Sequence, residues 1–152
     1  LASQTAMGVL ERTGVERVDA SSFIEGDHNG PVYTALGTKD LYRRLDGSPF
    51  DRNAFHKDPS GHTAEFMPFA RKAAIYMACH FWDPRGPKIL DADGLRDPAL
   101  GIEVIADISC DIGGPIDPSG QHHRRTVLRV RADQRHGSEG GNGRQHHRDG
   151  RR

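Results

Sequence analysis

Two long apolar segments constrain the fold of this chain more than any other feature of its sequence. The first is AAIYMACHFW, from Ala73 to Trp82, and the second is IEVIADISC, from Ile102 to Cys110. Segments dominated by apolar residues are typical of strands that are buried on both faces in a parallel sheet. Helices must then cover both faces, so the two segments predict an α/β fold with a largely parallel sheet. Asp107 lies inside the second segment, which predicts either an edge position facing solvent or a hydrogen-bonded buried carboxylate.

Shorter elements precede these two strands. The segment ASQTAMGVLERTG predicts an amphipathic helix that ends at Gly14. VERVD and VYTAL predict two short strands, and residues 52–56 predict a helical turn inside a loop-rich stretch. TAEFMPFARKA predicts a helix that Pro68 makes short or kinked. The order helix, strand, strand, helix, strand, strand predicts a partial Rossmann-like fold, with a mostly parallel sheet and flanking helices.

Three of the predicted strands end in polar or aromatic side chains rather than in plain turns. In chain order these are Asp19, the run Cys79-His80-Phe81-Trp82, and the run Ser109-Cys110-Asp111, which is followed by Gly113 and Gly114. In open parallel sheets, ligands bind beyond the carboxyl ends of the strands. The sequence therefore predicts a nucleotide-binding crevice at this edge of the sheet.

Each of these residues also has a simpler interpretation. Asp19 either binds a ribose hydroxyl, as the acid after the second Rossmann strand does, or forms a turn. Phe81 and Trp82 either form the wall of a ring pocket or pack in the core. Cys79 and Cys110 are either a disulfide or metal pair, or two buried thiols.

The composition indicates one ordinary domain followed by an unusual tail. Of the 152 residues, 35% are hydrophobic. No segment is long enough to span a membrane and no signal peptide is visible, so no membrane partner is expected. Two widely separated cysteines predict reduced thiols in a cytoplasmic protein.

Residues 119–152 hold nine arginines, no lysine and no aromatic residue. We therefore expect an ordered part, residues 1–116, and a disordered Arg/His/Gly-rich tail, residues 117–152.

A resemblance to a known enzyme family rests on two segments, FMPFARKAAIYMACHFWDPRGPKIL and IEVIADISCDIGGPI. They are similar to saccharopine dehydrogenase and lysine-ketoglutarate reductase proteins, within the alanine dehydrogenase and transhydrogenase-like group. The resemblance covers about residues 6–116, and it implies a Rossmann domain that binds NAD or NADP. The implied activity is hydride transfer at a C–N bond of an amino-acid substrate. By position, the resemblance places Phe81 and Ile108 beside the dinucleotide, and Ser109, Cys110 and Asp111 beside the amino-acid substrate.

Two departures from the family pattern limit what the resemblance implies. Thr5 stands where the last glycine of the phosphate-binding turn is expected, and glycines bring the backbone close to a pyrophosphate. The family's catalytic lysine and histidine belong to an amino-terminal domain that this chain lacks, so no catalytic residue is carried over. We therefore expect an oxidoreductase fragment that is inactive alone. We also expect self-association through the sheet faces and edges that a partial fold leaves open.

The tail has three interpretations: a disordered nucleic-acid-binding arm, a metal-binding tract, or translation out of frame. We favour the third, because every basic residue in the tail is arginine, as expected of out-of-frame GC-rich DNA. A one-base shift starting at the His122 codon also permits peptides that resemble what the family carries after this strand. Nucleic-acid binding is then not expected. The alternative to the enzyme is a non-enzymatic α/β binding module with a basic tail that binds nucleic acid.

Overall fold

The computed structural model describes residues 2–108, 114–117 and 127–129. The helices in this part of the chain are α1 Ala2–Arg12, α2 Ala20–Glu25, α3 Thr38–Leu41, α4 Arg52–Lys57, α5 Met67–Lys72 and α6 Ala92–Leu95. The strands are β1 Glu16–Arg17, β2 Val32–Tyr33, β3 Tyr42–Arg44, β4 His62–Ala64, β5 Ile75–Ala78, β6 Val104–Asp107 and β7 Val127–Arg129. A 3-10 helix, Pro59–Gly61, directly precedes β4.

The described strands form three small sheets. β1 and β2 pair in parallel, whereas β3 and β4 pair antiparallel. β5 and β6 pair in parallel, and β7 joins the other edge of β6 in the antiparallel direction. The predicted α/β class is therefore confirmed, and the described sheets combine short parallel and antiparallel strand pairs.

The hydrophobic core collects around the inner face of β5 and β6. Its buried members are Leu41, Tyr42, Phe66, Phe69, Ala70, Ala78, Ile89, Leu90, Ile102, Ile105 and Ile116. They come from α3, β3, α5 and the residue before it, β5, β6, the long connection between β5 and β6, and the segment after β6. In this core, the connection between β5 and β6 packs against the two parallel strands.

The other face of β5 is open. Ile105 on the inner face of β6 is 1% exposed, whereas Ile75 and Met77 of β5 are 56% and 37% exposed. The prediction that both apolar strands are buried on both faces is therefore wrong. Successive side chains of a strand point to opposite faces, and only the set that includes Ile105 packs against the core. The expected self-association through such a face stays a prediction.

Two further expectations need correction. The helix expected over residues 63–73 begins only at Met67, with Pro68 in its first turn, where proline is tolerated because its missing N–H has no helical partner there. The residues before it belong to β4, which pairs with β3 across the stretch expected to be loop. The helical turn expected at residues 52–56 is present as α4. The sequence of β3, Tyr42-Arg43-Arg44, carries two charges and no alternation, so its strand pattern was hidden.

Aspartates start three of the short helices. Asp19, Asp51 and Asp91 each stand at the N-cap, and each side chain accepts a hydrogen bond from a backbone N–H in the first turn. Four N–H groups at a helix start lack helical partners, and a capping carboxylate satisfies one of them. Helices as short as α2, α4 and α6 depend on such caps and on packing, because isolated helices of this length are unstable.

An aromatic cluster lies between β4 and α4 and contains a buried imidazole. The ring centroid of Phe55 lies 4.7 Å from that of Tyr42 and 4.9 Å from that of His62, and Phe50 lies 5.8 Å from His62. His62 is 6% exposed, and neither of its ring nitrogens has a hydrogen-bond partner among the described residues. Burying polar nitrogens without partners lowers stability.

We expect His62→Phe to raise the free energy of unfolding by about 1–3 kcal/mol, because the variant removes unsatisfied buried nitrogens. The phenyl ring retains the edge contacts with the neighbouring phenylalanines. Urea denaturation measures the change. The matched variant His62→Ala loses the ring contacts and leaves a cavity, so it is expected to lower the same quantity. A destabilised His62→Phe protein would show that the nitrogens are satisfied in solution.

Candidate functional site

The carboxyl ends of β5 and β6 lie side by side at one edge of their sheet. Ala78, the last residue of β5, stands opposite Asp107, the last residue of β6. The N–H of Ile108 donates to the carbonyl oxygen of Ala78 at 2.9 Å. The sequence predicted that these two strand ends share an edge, and the structure brings them together there.

Apolar side chains are displayed to solvent at this edge. Phe81, three residues beyond β5, is 85% exposed. Ile108, directly after β6, is 40% exposed. Exposing a phenyl ring to this extent gives up the stabilisation that burial provides. An exposed aromatic ring can stack on a planar ring brought by a ligand.

On the inner face of the same two strands lie a buried carboxylate, that of Asp107, and a buried hydroxyl group, that of Tyr76. Asp107 is 4% exposed, so of the two alternatives for this residue the buried one is correct. The hydroxyl of Tyr76 is buried and has no hydrogen-bond partner among the described residues. Burial, and after it the nearby Tyr42 and Asp107, raise the pKa of Tyr76 above its usual range. Tyr76 therefore presents a neutral hydroxyl group that stays protonated near neutral pH and has a hydrogen-bond donor to offer.

Cys79 follows β5 directly and is half-buried with a free thiol. Burial raises the pKa of this thiol. Because thiolates rather than thiols bind metals and attack electrophiles, the raised pKa favours the interpretation of Cys79 as a buried, unreactive thiol. Cys110, its suggested partner, lies outside the described residues.

Trp82 packs in the core, unlike its neighbour Phe81. It is 9% exposed, and its indole N–H donates to the carbonyl oxygen of Pro87 at 3.1 Å. The hydroxyl of Tyr42 reaches the same oxygen at 3.4 Å. Trp82 was expected either to form the wall of a ring pocket or to pack in the core, and it packs in the core. Its hydrogen bond to Pro87 holds the loop that follows β5.

An ion pair that the sequence did not reveal ties the far end of this loop. Lys88 pairs with the carboxylate of Asp117, which also accepts a hydrogen bond from the N–H of Ala92 at 2.9 Å. The bond from Lys88 lowers the pKa of Asp117. The adjacent backbone forms a parallel bridge between Leu90 and Ile116. The ion pair thus holds the segment after β6 next to the loop after β5, although Lys88 and Asp117 are far apart in the chain.

Asp19 lies at the end of β1, in a different sheet from β5 and β6. It is exposed, and its carboxylate accepts hydrogen bonds from the N–H of Ser22 at 2.9 Å and from the hydroxyls of Ser21 and Ser22 at 2.6 Å each. These bonds, led by that from Ser21, lower the pKa of Asp19. In the structure Asp19 therefore acts as a helix cap. A ribose hydroxyl could bind Asp19 only by sharing carboxylate oxygens that already accept hydrogen bonds from Ser21 and Ser22.

The predicted substrate-binding residues Ser109, Cys110 and Asp111 lie outside the described residues, so the structure gives no position for them. Within the described part of the chain, no group of three or more His, Cys, Asp or Glu side chains is arranged to hold a metal ion. No helix among the described residues is long and apolar enough to cross a membrane.

Neither the search against known protein families nor that against curated proteins found a match for this chain.

Proposed function

We propose that the edge formed by the ends of β5 and β6 binds a nicotinamide dinucleotide, NAD or NADP. The observation that carries this proposal is the parallel pairing of β5 and β6, whose adjacent carboxyl ends are followed by two exposed apolar side chains, Phe81 and Ile108. Ligands of parallel α/β sheets bind outside the carboxyl ends of the strands. An exposed phenyl ring after such a strand end can stack on a nicotinamide or adenine ring.

The fold supports a Rossmann-like assignment through its two parallel pairs, β1 with β2 and β5 with β6. The residues present fit the ring-binding half of a dinucleotide site better than the phosphate-binding half. The first turn of α1 carries no acidic residue, so it does not repel a phosphate. It also has no glycine, and glycine is what normally allows a pyrophosphate to approach the backbone closely.

The reaction proposed is that of an oxidoreductase acting at a C–N bond of an amino-acid substrate. In that reaction the dinucleotide would donate or accept the hydride. Phe81 and Ile108 would orient the nicotinamide ring by contact, and Ser109, Cys110 and Asp111 would bind the substrate beside it. No residue of the chain is assigned as acid or base. The chain is therefore proposed as the dinucleotide-binding part of such an enzyme, inactive alone.

We expect Phe81→Ala to weaken binding of the preferred dinucleotide about three- to tenfold, because one aromatic stacking contact contributes about 0.5–1.5 kcal/mol. Isothermal titration of the purified chain with NAD, NADH, NADP and NADPH measures the affinity. A thermal-shift series with the same four compounds checks it, since a ligand that binds only the folded state raises the melting temperature.

The matched control is Leu45→Ala. Leu45 is 63% exposed and follows β3, which belongs to a different sheet from β5 and β6, so its removal should leave the affinity unchanged. If none of the four dinucleotides produces heat or a thermal shift, the proposal fails. Binding of duplex DNA that weakens steeply with salt, without any response to dinucleotides, would instead support the binding module with a basic tail.

A further inference from the structure

The turn between α2 and β2 contains an asparagine followed by glycine, Asn29-Gly30, in open surroundings. Both residues are exposed. Among the described residues, neither the Asn29 side chain nor the Gly30 N–H makes a hydrogen bond. A Cβ added at Gly30 would meet nothing within 4 Å. The backbone nitrogen of Gly30 is therefore free to approach the side-chain amide carbon of Asn29.

At two other sites where a backbone nitrogen could attack the preceding side chain, Asn53-Ala54 and Asp46-Gly47, that N–H is held in a hydrogen bond. The N–H of Ala54, which follows Asn53, donates to the carboxylate of Asp51 at 2.8 Å. At Asp46-Gly47 the N–H of Gly47 donates to the carbonyl oxygen of Arg44 at 3.2 Å. In addition, the Asp46 carboxylate is paired with Arg44. Of the two asparagines that the structure describes, Asn29 is thus the one followed by a backbone N–H that makes no hydrogen bond to a described residue.

We propose that Asn29 is a site of spontaneous deamidation. The Gly30 nitrogen loses its proton and forms a bond to Cγ of Asn29, the bond from Cγ to the side-chain nitrogen breaks, and ammonia leaves with that proton. The product is a five-membered succinimide. Solvent water then opens the ring at either carbonyl, which leaves an aspartate or an isoaspartate at position 29. No oxidant, reductant or enzyme is required.

The modification acts on the pairing of β1 with β2. The N–H of Glu16 donates to the carbonyl oxygen of Pro31 at 3.2 Å, and the N–H of Val18 donates to that of Tyr33 at 2.9 Å. Isoaspartate lengthens the backbone by one carbon just before Pro31, and either product adds a negative charge beside the exposed Asp27. Because the β1–β2 pair has only two residues in each strand, a displaced Pro31 loosens it.

The test is to age the purified full chain at mildly alkaline pH and map it after trypsin digestion. Cleavage separates residues 18–39, which carry Asn29, from residues 53–57, which carry Asn53. We expect conversion of Asn29 to aspartate and isoaspartate at least roughly tenfold faster than conversion at Asn53, since attack there first requires local opening of α4. Hydrogen exchange of the aged protein is expected to be faster at the amides of Glu16 and Val18.

Gly30→Ala is the matched variant, because its added methyl group crowds only the attacking nitrogen. It should slow deamidation at Asn29 severalfold while the fold stays intact, as checked by the melting temperature. Equal rates at Asn29 and Asn53, or an unchanged rate in Gly30→Ala, would overturn the assignment of the site. Rapid deamidation without faster exchange at Glu16 and Val18 would overturn its effect on the β1–β2 pair.

Discussion

Phe66→Ala is expected to lower the free energy of unfolding by about 3–5 kcal/mol. Phe66 is 2% exposed and lies at the start of α5. Its ring centroid lies 4.5 Å from that of Tyr76 in β5 and 6.5 Å from that of Phe69 in α5. Truncation removes these aromatic contacts and leaves a cavity between helix and sheet. Because domains of this size are stable by only about 5–15 kcal/mol, this loss is a large fraction of the total stability.

The same substitution at Phe81 is the control for Phe66→Ala. Phe81 is 85% exposed, so its truncation removes little buried surface and should change stability by less than about 0.5 kcal/mol. Urea denaturation of both variants, followed by circular dichroism, gives the comparison. Similar losses at the two positions would mean that Phe81 is buried in solution, by the tail or by another copy of the chain.

The pattern of apolar residues was sufficient to predict two strands of the sheet that contains β5 and β6. β5 and β6 lie inside the two long apolar runs and are parallel, as strands joined by a long crossover connection can be. α1 and α4 also occur where helices were expected. These elements have local signals, namely apolar periodicity and residues that end helices, that do not depend on distant contacts.

The sequence did not show how deeply each face of the sheet is buried. The apolar residues of β5 look alike in the sequence, yet Ile75 is 56% exposed whereas Ala78 is fully buried. Which face meets the core depends on what packs there, here the aromatic side chains of α5 and the connection before β6. β3 and β4 were missed for a similar reason. Their pairing depends on a distant partner strand, and charged residues in β3 conceal any alternation.

The sequence predicted that the ends of β5 and β6 share an edge, but not which polar groups lie near it. The placement of polar and aromatic residues after strand ends pointed to the edge where Phe81 and Ile108 lie. The buried hydroxyl of Tyr76 and the pair of Lys88 with Asp117 were not recognised. A tyrosine inside an apolar strand is a usable signal, because its hydroxyl needs a partner wherever the ring is buried. The ion pair joins residues 29 positions apart, so it needs three-dimensional information.

Gly101→Ala is expected to destabilise the protein by about 2–3 kcal/mol, because it introduces overlap with backbone that cannot easily move. A Cβ at this position would lie 2.5 Å from the carbonyl oxygen of Arg71 and 3.1 Å from that of Ala73. The N–H of Gly101 also donates to the carbonyl oxygen of Ala70 at 3.0 Å. Relieving the overlap must separate the end of α5 from the segment that leads into β6. Thermal unfolding should show a clear drop in melting temperature.

Gly30→Ala separates this steric effect from the general effect of replacing glycine. Position 30 has open space around the added Cβ, and its φ is not positive. Alanine there restricts the unfolded chain without straining the folded one, which should leave stability unchanged or raise it by up to about 1 kcal/mol. Opposite signs at positions 30 and 101 would show that the loss at position 101 comes from the close approach of α5 to the segment that leads into β6. Because that approach sets the position of β6 against β5, Gly101→Ala should also weaken any dinucleotide bound at their ends, whereas Gly30→Ala should not.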